Sequence, residues 1–279
     1  MTTLFDTLRE DALARHAACE RVLGKRGVLS SEDVHALRVA TKHLRASWAL
    51  LAPLLSEAER SAARGAQREL ADAARELSGP RDRDALAETL ARLAAEAPKR
   101  RDRERLAGAH ALLFGERPGK HQRASRTPAL RSAFQRDAER WAACTCAISD
   151  EQLLREGCGR LYRRARRLAQ RARKTGDVEA WHRCRKQTKY LGYNLSLLLG
   201  DDDPRSMRSE LGALGEQLGE LHDLSRLRAH VRRARTELGQ PEALRGVVRL
   251  VRRHEKALAA ACKAGSRASF GSSPKRFAH

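Results

Sequence analysis

VHALRVATKHLRASWALL, residues 34–51, sorts into two faces when it is wound at about 100° per residue. His35, Arg38, Lys42 and Arg45 fall within roughly 80° of one another, and Leu37, Leu44, Trp48 and Leu51 within roughly 60° on the opposite side. This is a helix with one cationic strip and one core strip. The pattern returns 147 residues later in WHRCRKQTKYLGYNLSLLL, Trp181 to Leu199. There His182, Arg185 and Lys189 repeat His35, Arg38 and Lys42, and Cys184, Leu191, Leu195 and Leu198 repeat the apolar set. Two copies in one register predict an internal duplication whose two cationic strips face a common ligand.

Working outward, every other segment also carries the helical period. The spacing predicts helices over Leu4–Leu23, from Ser30 or Ser31 to about Leu55, over Glu57–Leu77 and over Arg81–Glu96. Four helices with short turns predict an up-down bundle. Further helices are expected over Lys99–Phe114, Ala129–Cys146, Ser149–Thr175 and Val178–Leu199. After the turn GDDDP the pattern predicts Ser206–Leu221, Asp223–Leu238 and Glu242–Ala264. GERPGKHQRASRTP, within 115–128, reads as a flexible basic loop, and 265–279 as a disordered basic tail. No strand-like alternation occurs, so the predicted class is all-α. The predicted division is a first bundle over 1–147 and a second over 148–264, related by pseudo-twofold symmetry.

Lys and Arg number 56 against 35 Asp and Glu, a net charge of +21. Residues 1–147 hold 27 basic and 20 acidic side chains, residues 148–279 hold 29 and 15, so the second half is the more electropositive. Such an excess repels itself in a compact chain unless a polyanion neutralises it. Aromatic residues are only 4%, too few for the stacking platforms of single-stranded nucleic-acid binders. The longest charge-free apolar run beside a motif, Ala46–Ser56, is far short of the about 20 residues that span a bilayer. Met1–Glu10 has acids and no apolar run, so no secretory leader is read there. The six cysteines form no C-x-x-C pair; read on a helix, Cys144 and Cys146 point in different directions. They are expected to be reduced thiols of a cytoplasmic protein.

Gly157–Gly176 carries the densest charge. Arg160, Arg163, Arg167, Arg171 and Lys174 are spaced 3, 4, 4 and 3 apart, with Arg164 beside them and no acid in the stretch. Like charges at i, i+4 destabilise a helix by a few tenths of a kcal/mol per pair. A stripe of this kind suits phosphates, to which arginine offers paired donors. In the second repeat Lys186 joins His182, Arg185 and Lys189. Arg81 and Arg83 stand after the break Ser78-Gly79-Pro80, with Asp82 and Asp223 read as N-caps. Arg245, Arg249, Arg252, Arg253 and Lys256 make a further basic stripe near the C-terminus. His222-Asp223 lacks the later Asp that helical His-Asp hydrolases need, and no phosphate-loop, dinucleotide or nucleophile-elbow motif occurs. No catalytic residue, metal ligand or cofactor is assigned.

The ordered set of HALRV with Lys42 and Arg45, HRCRK with Lys189, LSGPRDRD (77–84), LGELHD (218–223) and YRRARR (162–167) resembles the CHAD family, the histidine-centred α-helical domain. The resemblance spans about 4–264. It departs at Gly192, which takes the place of Arg45, and at His43 and Tyr190, where a basic residue is commoner. It implies paired four-helix bundles with a basic surface that binds inorganic polyphosphate, recruitment to polyphosphate granules in the cytoplasm, and no catalysis. A basic helical nucleic-acid-binding protein is the first alternative and a phosphohydrolase the second, and no membrane association is expected.

Overall fold

Helix starts are written locally. Thr3, Ser30, Ser56 and Ser149 each accept a backbone N–H three residues on, and Asp6, Asp33, Glu59 and Gln152 return the bond. Each such capping box is worth about 1 kcal/mol. Asp177 caps a fifth start through the N–H groups of Glu179 and Ala180.

The protein's structure, a computed structural model, describes residues 2–77, 79–115, 128–200, 205–239 and 241–271. It is all-helical, with no strand among the described residues. The helices are α1 (Leu4–Gly24), α2 (Ser31–Leu51), α3 (Glu57–Glu76), α4 (Gly79–Glu96), α5 (Arg100–Phe114) and α6 (Pro128–Ala143). Then come α7 (Asp150–Gln152), a π-helical turn (Leu153–Cys158), α8 (Gly159–Thr175), α9 (Val178–Leu198), α10 (Arg205–Glu237) and α11 (Pro241–Phe270). Among the described residues no helix is long and apolar enough to cross a membrane.

The helices close into three four-membered groups. α1, α2, α3 and α6 form one; α8, α9, the first half of α10 and the last half of α11 form another. The bundle expected of the first four helices is therefore corrected: α4 leaves it and α6 takes its place. α4 instead pairs with α5 and lies against the second half of α10 and the first half of α11. Leu86, Leu90, Leu93, Leu106, Leu227 and Val247 are among the residues that fill this third core. Each fully buried leucine contributes about 1.5–3 kcal/mol, so the apolar face of α4 has a well-defined partner. Arg92 of α4 meets Glu220 of α10, and Arg83 near the other end of α4 lies over the Phe114 ring of α5, which stacks on His230, so α4 runs antiparallel to α10.

α2 and α9 cross at the centre. Buried Asn194 donates to Ala46 O at 3.1 Å and to Tyr190 O at 2.8 Å, tying the two helices together. The π-helical turn seats Gly157 on α2, where an added Cβ would lie 2.9 Å from Leu50 Cδ1. Asp137, fully buried, is held by Trp48 Nε1 and His16 Nε2, each at 2.9 Å, and joins α6 to α2 and α1.

Other expectations are corrected. α2 stops at Leu51 rather than near Leu55, because Pro53 has no N–H to continue it. α10 is continuous where a break was expected near residue 222, so Asp223 is no N-cap. α11 runs on to Phe270, whose ring packs edge-on to Tyr162 at 5.5 Å, so residues 265–270, expected in a disordered tail, are helical. α6 ends at Ala143, leaving Cys144 and Cys146 outside the helix. Residues 116–127, expected as a flexible basic loop, and 272–279, expected as a disordered tail, lie outside the described residues, as do the side chains of Arg81 and Asp82.

Candidate functional site

α8 buries Gly159, Leu161, Tyr162, Ala165, Ala169 and Ala172. Mostly small residues on that face bring it close to α9, and the long arginines are left outside. Arg160, Arg163, Arg164, Arg167 and Arg171 are all exposed. None forms an ion pair with a described residue, and α8 carries no acid. The stripe read from spacing is thus present as one uncompensated cationic face.

α9 distributes its strip to both sides. Lys186 is close enough to Arg45 of α2 and Arg164 of α8 to feel both charges. Burial, together with Arg45 and Arg164, pushes its ammonium down from 10.5 to about 8. Its Nζ stands 5.4 Å from the centre of the Tyr190 ring. Tyr190 is buried, and its hydroxyl and Arg45 Nε are both enclosed without a hydrogen-bond partner among the described residues. Three cations from three helices and two unsatisfied donors thus gather with no acid acting on Lys186 among the described residues.

On the other side, Arg185 and Lys189 lie across α10. A Cβ at Gly219 would be 3.2 Å from Arg185 Nε, and one at Gly215 would be 3.5 Å from Lys189 Cε. The approach of Arg185 to Gly219 is tight, whereas a Cβ at Gly215 would only make ordinary contact with Lys189. Burial lowers the Lys189 pKa, with Arg185 adding to the effect. Asp223 sits mid-helix nearby; burial raises its carboxyl pKa against the pull of Arg185, Arg226 and Arg92. It is a counter-charge for the arginines.

The histidines differ. His182 is partly buried and stacks on His222 of α10 at 4.4 Å. Burial lowers its pKa, with Arg185, Lys186 and Arg226 contributing, so it is poised as a neutral donor. His35 is exposed on α2, at a pocket of about 320 Å³ shared with Arg15 and Cys19 of α1. Lys42 is exposed on the same helix. Arg38 reaches Leu77 O at 3.4 Å and so helps close the end of α3. Arg83 reaches Leu113 O at 3.3 Å and lies over the Phe114 ring, in the third helical group rather than at the α2–α8–α9 cluster. Arg245, Arg249, Arg252, Arg253 and Lys256 lie on α11; two are partly neutralised, Arg245 by Glu242 and Arg253 by Asp102.

Sequence reading therefore found the cations, but it gave Tyr190 and His222 no place at the site and assigned no role to Gly215 and Gly219. Among the described residues no three His, Cys, Asp or Glu side chains are placed to hold a metal ion.

The comparisons bear on the fold and the family. The CHAD domain profile matches residues 11–200. The crystal structure of the CHAD domain from the plant Ricinus communis has the same fold, with a TM-score of 0.61 at 21% identity, covering 95% of this chain and 92% of that one. No curated protein matches the chain. With the profile spanning both H-x-x-R helices, the chain belongs to the CHAD domain family.

Proposed function

We propose that the chain is a non-catalytic binding module for inorganic polyphosphate. The observation that carries this reading is the gathering of Arg45, Arg164 and Lys186 from three helices with no acid among them, at a depth that depresses Lys186 to about 8. Without an anion this arrangement opposes folding; with a phosphate chain each like-charge contact becomes a bridge. The exposed stripe Arg160, Arg163, Arg167 and Arg171 extends the site along α8, and Arg185 and Lys189 extend it along α10. His35, Arg38 and Lys42 act as outer contacts, with His182 a secondary donor. The two H-x-x-R helices derive from a duplication, which gives a linear ligand two similar strips. Family membership supports the choice of polyphosphate, and the cellular role is recruitment to polyphosphate granules.

The test is a titration with long-chain polyphosphate at about 150 mM salt, where exposed charges are screened beyond about 8 Å, with double-stranded DNA of equal charge as competitor. Tight binding that DNA fails to displace is expected. Equal displacement by DNA contradicts a polyphosphate site and leaves a general polyanion surface.

A further inference from the structure

Away from the basic site the six free cysteines fall into two groups. Cys19, Cys158, Cys184 and Cys262 are buried, while Cys144 and Cys146 are only partly so. Arg9 fixes the end of α6, its Nε donating to Trp141 O at 3.1 Å and its Nη2 to Ala142 O at 2.8 Å. The chain leaves the helical path at that point. Residues two apart no longer point about 200° away from each other, as they do on a helix. The two Sγ atoms come within 3.5 Å of one another. They line an open pocket of about 490 Å³ with Thr3, Asp6 and Arg9. Glu59 Oε1 is 4.0 Å from Cys146 Sγ.

We propose that Cys144 and Cys146 form a modification site that closes to an intramolecular disulfide by exchange with a small disulfide of the glutathione type. Closing the ring needs the sulfurs to move about 1.5 Å nearer, to about 2.05 Å, through side-chain torsions. In the first step the Cys144 thiolate attacks one sulfur of the reagent. The reagent's S–S bond breaks, a mixed disulfide forms and one small thiolate leaves. Cys146 loses its proton to solvent and attacks the Cys144 sulfur, and the second small thiolate departs. The protein gives up two electrons and two protons, and the reagent becomes two thiols.

Cys144 is the attacking group. Burial raises both thiols, but the hydrogen bond from Cys146 and the Arg9 charge oppose this at Cys144. Burial, the bond to Cys144 and Glu59 push Cys146 up to about 12. Closure is accordingly slow near neutrality and faster as pH rises, because the thiolate is the nucleophile.

The experiment is incubation of the reduced, folded protein with excess oxidised glutathione at about pH 8, followed by alkylation and peptide mass mapping. The proposal expects Cys144 and Cys146 to lose alkylation together as a closed disulfide, before any buried cysteine reacts. The Cys146→Ser protein should retain a stable glutathione adduct on Cys144, and the Cys144→Ser protein should react more slowly at Cys146. A wild-type protein that keeps the adduct without closing the ring overturns the proposal. So does one whose two thiols stay alkylatable while a buried cysteine oxidises.

Discussion

Replacing Lys186 with methionine separates the folding penalty of the basic cluster from its binding function. The ammonium moves from 10.5 to about 8 on folding, chiefly through burial and then through Arg45 and Arg164. At about 1.4 kcal/mol per pKa unit the displacement has an upper bound of roughly 3 kcal/mol, and partial exposure screens it to about 1–2 kcal/mol. Methionine keeps the length and the contact with Tyr190 but removes the charge. Without ligand the variant should melt roughly 2–6 °C above wild type, while its polyphosphate affinity falls. The folded pKa lies below the unfolded one, so the unfolded chain binds the proton more tightly. The penalty is fully present below pH 8 or so and vanishes as pH rises toward 10.5. Burial also holds Cys19, Cys158 and Cys262 up to about 12, so both proteins lose stability in alkali. The difference between the two melts, followed from pH 7 to 10 by circular dichroism, is therefore the quantity to measure. A variant that melts below wild type at neutral pH, or whose advantage does not shrink with pH, refutes the reasoning.

Other perturbations test separate parts of the account. Asp137→Ala strands the buried donors of Trp48 and His16 and should cost about 3–5 kcal/mol in urea unfolding; a loss below about 1 kcal/mol contradicts the role given to this network. Gly157→Ala places a methyl 2.9 Å from Leu50 Cδ1 and 3.1 Å from Leu50 O. It should destabilise by about 1–3 kcal/mol, because backbone stands in the way. Arg163→Ala with Arg167→Ala should weaken polyphosphate binding about tenfold, roughly 1.4 kcal/mol, with unchanged helical circular dichroism. Lost helicity would mean that the stripe serves the fold.

Much of the fold was legible because the information is local. Ser30 and Asp33 mark the start of α2, and the spacing of Leu37, Leu44 and Leu51 sets its buried face. The continuity of α10 was not legible. Gly219, His222 and Asp223 resemble a helix break, yet α9 and α11 flank the helix and their packing outweighs the roughly 1 kcal/mol that glycine costs. The same glycine leaves room for the Arg185 side chain, whose Nε would lie 3.2 Å from an added Cβ, a contact between residues distant in sequence. The place of α4 was lost for a similar reason: its leucines fit any bundle, and only the complementary faces of α10 and α11 select one. At the site, spacing identified the strips of α2, α8 and α9. It could not reveal that Lys186 turns toward Arg45 and Arg164 while Arg185 and Lys189 turn toward α10. Tyr190 read as a departure from a basic pattern, whereas its ring supports the Lys186 ammonium.

The central claim is that phosphate oxygens meet Lys186 beside Arg45 and Arg164. Such contact must raise the depressed pKa and draw a proton from solution. The most direct measurement is calorimetric titration of polyphosphate into the protein at about pH 8.5 in two buffers of different ionisation enthalpy. The account predicts uptake of roughly half a proton or more per site, absent in the Lys186→Met protein. Tight binding with no uptake, or with equal uptake in that variant, would place the ligand elsewhere on the surface.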